Sequence, residues 1–241
     1  MNARAIKKIV NIVETLHPSA IDMNEPRPVP AEGLYRRAGK RALDVVLSAL
    51  MLAVISPLLL IVCVLVKLTS PGPVFYRQNR VGKGGRPFNI VKFRSMVIDA
   101  DRHGPGLTSA GDPRVTKCGA VLRQLKIDEL PQLWNVLKGD MSLVGPRPEL
   151  PLYVANYDSQ QRMVLTVRPG ITDTASIAFR WEEHLLAQRR NPEQFYEEDI
   201  LPCKLALNLE YVTNMSLQYD FLIVARTVRS LFSLPSTSHK R

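Results

Sequence analysis

Asp128 and Glu129 stand side by side within the densest motif-like run of the chain, LRQLKIDELPQLWNVLKGDMSLVGPRPE over residues 122–149. Two adjacent carboxylates can hold a Mg²⁺ ion whose other ligands are water and diphosphate oxygens. One carboxylate can also attack phosphorus and form an acyl phosphate. Pro131 is tolerated in the first turn of a helix but not deep inside one, so a helix carrying Leu133, Trp134, Val136 and Leu137 is expected to begin close to Asp128. Asp128 then lies near an N-cap and Glu129 in the first turn, where free N–H groups and the helix dipole favour phosphate. An isolated D-E-x-P run is more often a simple cap. Its neighbours argue for more.

Arg147, fixed between Pro146 and Pro148, presents a guanidinium fork matched to phosphate. Lys92, Arg94 and Arg123 can add positive charge for a phosphorylated substrate. The candidate site is therefore Asp128 and Glu129 as catalytic residues and metal ligands, with Lys92, Arg94, Arg123 and Arg147 binding substrate. Other chemistries lack their signatures. RVGKGGRP is neither a P-loop nor a dinucleotide-binding turn, and no Ser or Cys nucleophile is paired with a His in a recognisable pattern. Cys63, Cys118 and Cys203 are widely spaced, and His17, His103, His184 and His239 are scattered. This argues against zinc and for a reducing compartment, leaving a hard cation held by oxygen.

These side chains need a scaffold, and its most distinctive part is apolar. Val45 to Val66 is a run of 22 residues whose only polar members are Ser48 and Ser56. As a helix it would extend ~33 Å, enough for a bilayer core. Ser56 and Pro57 fall in its middle, where proline removes a backbone hydrogen bond, and each half is then only about 16 Å long. Arg36, Arg37, Lys40 and Arg41 precede it and Lys67, Arg77 and Arg80 follow, so the positive-inside rule places both flanks in the cytoplasm. A re-entrant helix with its membrane break at Ser56 and Pro57 satisfies these features, while a kinked full span fits the length equally.

Around this segment, Ile6, Ile9, Val10, Val13 and Leu16 give residues 1–17 the spacing of a short amphipathic helix, and Pro18, Pro26, Pro28 and Pro30 stiffen a linker up to Tyr35. Val74 to Arg77 and Phe88 to Phe93 read as strands about a glycine turn at 82–85. Residues 119–138 and 196–213 are helical in pattern. Residues 219–232 have a broad apolar face interrupted by Arg226 and Arg229, suited to a membrane interface or equally to a core. The expected fold class is α+β: a mostly helical monotopic membrane protein with a re-entrant helix-break-helix anchor, interfacial amphipathic helices and a small β-hairpin. Its divisions are residues 1–39, an amphipathic helix and linker; 40–67, the membrane helix; and 68–241, a cytoplasmic catalytic domain.

A hydrophobic fraction of 46% with 22% charged residues excludes disordered, collagen-like and disulfide-rich classes. Residues 67–118 hold ten Lys or Arg against three Asp, whereas residues 119–241 carry fourteen of each sign. A basic patch directly after an apolar segment favours anionic membrane lipids or a phosphorylated substrate over nucleic acid.

In KRALD before the Ser-Pro helix, GPVFYRQNRVG, FNIVKFRSM, KIDELPQLWNVLKGDMSLVGPRPE and VRPGIT, residues 40–172 resemble the bacterial sugar transferases of the small monotopic phosphoglycosyl transferase type. The resemblance implies an enzyme of the bacterial inner membrane with its catalytic domain and both termini cytoplasmic. It would move a sugar-1-phosphate from a UDP-sugar to polyprenyl (undecaprenyl) phosphate with Mg²⁺, release UMP and initiate glycan or polysaccharide biosynthesis. By the family's pattern Asp128 is the nucleophile that carries a covalent phosphosugar, and Glu129 is its partner. Arg147 and Lys92 match phosphate-binding positions, and Arg123 falls in the same neighbourhood. After VRPGIT many members continue with a Gly-Trp-Ala-Gln-like run, whereas residues 173–183 read DTASIAFRWEE, a segment expected to shape the sugar pocket. Without the extra N-terminal membrane helices of larger relatives, the chain is expected to be the minimal form. A homodimer is left open.

Two other classes compete: a membrane-associated Mg²⁺-dependent pyrophosphatase or phosphatase using the same acidic pair, and a non-catalytic lipid-binding assembly module. The transferase is favoured because an anchor helix, an acidic pair and a phosphate clamp occur together.

Overall fold

The computed structural model describes residues 33–100 and 106–232; the amphipathic helix expected over residues 1–17 lies outside the described residues. A wide turn at Tyr35–Gly39 leads into α1, Lys40–Thr69, about 45 Å long at ~1.5 Å per residue. Asp44, Ser48, Val62 and Val66 form its buried stripe. The other faces expose Val46, Leu50, Val54, Leu60 and Ile61. The helix is long and apolar enough to cross a membrane.

The break expected at Ser56 and Pro57 does not interrupt α1, whose helical pattern is continuous there. Pro57 has no N–H for the carbonyl of Ala53, and the Ser56 hydroxyl donates to that carbonyl instead, at 2.8 Å. The orphaned acceptor is thus satisfied within the helix.

Both ends of α1 are tied to the rest of the chain. Near its start, Arg41 donates to the carbonyls of Val136 and Leu137 at 2.6 and 2.8 Å, and Asp44 accepts the backbone N–H of Leu143 at 3.0 Å. Toward its end, Val62 and Val66 pack with Phe93 and Leu122.

Strands β1, Phe75–Val81, and β2, Pro87–Phe93, pair antiparallel with Phe75 opposite Phe93, forming the expected hairpin. Its turn at Lys83–Gly85 places Gly84 at φ 67° and Gly85 at φ 76°, a region where a side chain would be strained. The continuous pattern expected over 119–138 is divided into α2, Lys117–Gln124, and α3, Gln132–Lys138. Lys126, at φ 57°, turns the chain out of the right-handed region after α2, and Pro131 stands as the N-cap of α3. A single tight turn, Ile127–Glu129, lies between them.

A parallel pair is also present: β3, Ser142–Val144, lies beside β4, Gly170–Thr172. A Cβ on Gly170 would fall 2.1 Å from the nitrogen of Gly145, so the backbones can approach only where both residues are glycine. Short helices follow: α4, Pro151–Ala155; α5, Thr174–Ala178; α6, Glu182–Leu186; and α7, Pro192–Phe195. The expected helix over 196–213 is a wide turn, Tyr196–Ile200, continuing as α8, Leu201–Asn214.

Tyr153, Leu186, Tyr196, Ile200 and Leu209 centre the largest core cluster. The last helix, α9, Leu217–Phe232, buries Asp220 and Ile223 and exposes Phe221, Leu222, Val224 and Val228. Asp220 accepts from Tyr35 Oη at 2.5 Å, Lys40 Nζ at 2.5 Å and Tyr211 Oη at 2.7 Å, joining α9 to the root of α1.

Candidate active site

The Lys126 turn brings Asp128 and Glu129 to the hairpin. Asn135 fixes that approach: its amide nitrogen donates to the carbonyl of Asn89 at 2.8 Å, and its amide oxygen accepts from Val91 N at 3.0 Å. With α3 stitched to β2 in this way, Lys92 reaches Glu129 Oε1 at 2.9 Å. Asn135 was not among the residues singled out by sequence. A polar residue between Trp134 and Val136 was its only signal.

Arg147 arrives from the other side. Its two terminal nitrogens donate to Glu129, Nη2 to Oε1 at 2.5 Å and Nη1 to Oε2 at 3.3 Å. The fork expected to receive phosphate is thus closed on a carboxylate. Its backbone N–H donates to Asp173 Oδ2 at 2.7 Å, while the other carboxylate oxygen of Asp173 caps α5 at Ser176 N. The first residue of the divergent segment therefore positions Arg147.

Asp128 and Glu129 are electrostatically unlike. Burial favours the neutral form of Glu129, but Arg147 and then Lys92 outweigh it and hold the group well below the usual carboxylate range. Asp128 moves the opposite way, raised by burial and then by the charge of Glu129. It is buried, and its Oδ1 has no hydrogen-bond partner. Lys92 is lowered by burial, against the pull of Glu129.

A cavity of about 460 Å³ is lined by Lys92, Arg123, Asp128 and Arg147 among others. Asp128 borders it, while Glu129 is held by Lys92 and Arg147. The tight turn also changes the expected capping geometry: Asp128 precedes α3 by a full turn and caps nothing there.

Of the remaining expected residues, Arg123 lines the same cavity and is ion-paired with Glu183. Arg94 borders it too, but its guanidinium is directed elsewhere. Nη2 donates to the carbonyl and hydroxyl oxygens of Ser70 at 2.8 and 2.7 Å, and Nη1 to the carbonyl of Pro73. Arg94 thereby ties the chain leaving α1 to β2 while bordering the cavity. Ser56 and Pro57 lie on the exposed side of α1, apart from the cavity.

Residues 35–234 match the family described as bacterial sugar transferase. The chain belongs to this family. A UDP-N-acetylgalactosamine-undecaprenyl-phosphate N-acetylgalactosaminephosphotransferase of Aeromonas hydrophila is 39% identical over 224 residues, covering 92% of this chain and 48% of the relative. A UDP-glucose:undecaprenyl-phosphate glucose-1-phosphate transferase of Caulobacter vibrioides is 42% identical over 219 residues, covering 86% of this chain and 73% of the relative. A transferase of the same description from Escherichia coli K12 is 38% identical, with 86% and 44% covered. The chain thus spans about half the length of two of these bacterial sugar transferases and most of the third.

Proposed function

We propose that this bacterial sugar transferase moves a sugar-1-phosphate from a UDP-sugar to undecaprenyl phosphate, releasing UMP and initiating polysaccharide synthesis. The observation that carries the reading is the division of labour in the acidic pair: Asp128 lines the cavity and has a buried oxygen without a hydrogen-bond partner, while Glu129 is locked between Lys92 and Arg147. Relatives described as undecaprenyl-phosphate sugar phosphotransferases support the substrate class. They differ in the sugar named, so the sugar remains unassigned.

In this reading an oxygen of Asp128 attacks the phosphorus that bears the sugar. The bond to the UMP oxygen breaks, UMP leaves with the electron pair, and an acyl phosphate remains on Asp128. An oxygen of the lipid phosphate then attacks the same phosphorus and displaces Asp128. Lys92 and Arg147, exchanging Glu129 for phosphate oxygens, would neutralise the charge that gathers there. Arg123 stands at the same wall and can assist.

Mg²⁺ fits the donor set at Asp128, whose buried orphan oxygen is a hard ligand. Among the described residues no group of three or more His, Cys, Asp or Glu side chains could hold a metal. Asp128 and, after changing partners, Glu129 would hold the ion with diphosphate oxygens and water. Bound there, it would screen the charges of carboxylate and diphosphate.

The anchor is read as monotopic, at the cytoplasmic face of the inner membrane. Support comes from α1, which meets the same domain through Arg41 and Asp44 near one end and through Val62 and Val66 near the other while exposing apolar side chains between. A helix crossing the bilayer alone would have one end far from the domain.

The test is incubation of the full chain with undecaprenyl phosphate, Mg²⁺ and a panel of UDP-sugars, scoring UMP and lipid product. UMP with a lipid-linked phosphosugar supports the transferase. Free sugar phosphate without lipid product would mark a hydrolase, and no turnover with an Asp128→Asn variant equally active in assembly would mark the non-catalytic module.

A further inference from the structure

Glu149, Tyr153, Glu182, Tyr196 and Lys204 line the same cavity as Asp128, and their mutual contacts make one polar stretch of its wall, a chamber of distinct chemistry. These side chains come from five places: Glu149 two residues after Arg147, Tyr153 from α4, Glu182 from the divergent segment, Tyr196 from the wide turn before α8, and Lys204 from α8. Tyr196 is 2% exposed and Lys204 6%. Tyr196 Oη donates to Glu149 Oε1 at 2.8 Å. Lys204 Nζ is 2.6 Å from Glu182 Oε2, 3.5 Å from Tyr196 Oη and 4.9 Å from the centre of the Tyr196 ring. Despite that short approach, Glu182 Oε2 is buried without an aligned hydrogen-bond donor.

Such a network is an expensive way to stabilise a core, because apolar groups of equal volume usually do as well or better. Its position on a cavity wall gives it another use. The chamber offers carboxylate acceptors, an ammonium donor, and a phenol that burial and then Glu149 hold protonated. The rings of Tyr153 and Tyr196, with centres 5.1 Å apart, pack against each other behind these polar groups. Each carboxylate is paired with a cation, Glu182 with Lys204 at 2.6 Å and Glu149 with Arg80 at 3.8 Å, so this wall has no surplus positive charge to hold a diphosphate. A sugar ring, whose hydroxyl groups both donate and accept, matches this set of acceptors and donors.

We propose that this chamber is the subsite for the sugar ring of the donor, with Lys204 donating to it, Tyr196 Oη, Glu149 and Glu182 accepting from it, and Glu182 discriminating among sugars. This rests on the donor reading given above. It accounts for the adjacency of Arg147 and Glu149: the phosphate end of the donor would meet the first and the sugar the second. It also gives the divergent segment two tasks, holding Arg147 through Asp173 and contacting the sugar through Glu182.

The experiment uses the full chain in detergent with Mg²⁺, undecaprenyl phosphate and four donors: UDP-glucose, UDP-galactose, UDP-N-acetylglucosamine and UDP-N-acetylgalactosamine. Wild-type turnover comes first, since failure with every donor overturns the parent reading and this subsite with it. For Tyr196→Phe and Glu182→Gln, kcat/KM is then compared across donors alongside inhibition by UDP, which has no sugar. The expected result is a loss of about ten-fold or more with the preferred donor. The margin over the next donor should shrink, and UDP inhibition should change by less than about two-fold. Lys204→Met adds a third reading if it folds; Tyr196→Phe, which keeps the ring, decides otherwise. Unchanged donor ratios in active wild-type and variant enzymes would overturn the subsite while leaving the transferase intact. A parallel loss of UDP inhibition would also overturn it, by placing the nucleotide in the chamber.

Discussion

Arg147 closes its guanidinium fork on Glu129, at 2.5 and 3.3 Å, and Lys92 holds the same carboxylate at 2.9 Å. Glu129 is therefore the ionic hub of the site, and the cavity is left to Asp128. Replacing the two acids should have different physical consequences. Glu129→Gln strands two half-buried cations and should destabilise the fold by about 1–2 kcal/mol as well as crippling turnover. Asp128→Asn removes a carboxylate that burial disfavours, so thermal stability should stay level or rise while turnover falls by at least about a thousand-fold. Melting curves and UMP release on both variants check this together.

The same asymmetry predicts a pH signature, measured in chelator without substrate. The lowered pKa of Glu129 contributes stability that is present above its unfolded value of about 4.3 and is lost as pH falls toward the folded value. The raised pKa of Asp128 acts in the other direction: its contribution is present below about 3.9 and is lost as pH rises through the higher folded value. The melting temperature of Asp128→Asn should therefore gain on wild type as pH is raised from about 4 to about 7. A gap that narrows over that range would contradict the raised value.

Arg94→Ala should lower stability by roughly 2–3 kcal/mol, because it frees the carbonyls of Ser70 and Pro73. The protein that remains folded should keep its KM for the UDP-sugar. A KM rise comparable to that of Arg147→Ala would return Arg94 to the substrate.

Ser56 and Pro57 should be energetically coupled. Ser56→Ala leaves the carbonyl of Ala53 without its donor, a loss of about 1 kcal/mol. In a Pro57→Leu background the backbone N–H is restored and the same change should be nearly neutral. A double-mutant cycle on melting in detergent measures this coupling, and additive effects would dissociate the hydroxyl from the proline.

What was readable in the sequence followed from chemistry that names its residue types. The acidic pair, Lys92 and Arg147 converge as their types suggested, and alternating β-prone runs about a glycine turn yielded the hairpin. The backbone contacts of Arg94 were not legible because a guanidinium serves carbonyls and phosphates with the same donors. Asn135 and Asp173 were missed because each acts on the backbone of a distant segment, a relation that spacing does not encode. The parallel pair escaped because strands of three residues are too short for periodicity. At Ser56, proline implied a break, but the local hydroxyl that repairs the helix was one residue away.

The central claim is that Asp128 bonds to the phosphorus of the donor. Enzyme quenched with its preferred UDP-sugar in the absence of lipid, digested and examined by mass spectrometry, tests it most directly. The expected result is a mass increase of one phosphosugar on the peptide containing Asp128, absent from Asp128→Asn, with parallel initial-rate lines for the two substrates. Repeated absence of the adduct from enzyme that turns over when lipid is added, together with intersecting lines, would contradict it and leave Asp128 without a nucleophilic role.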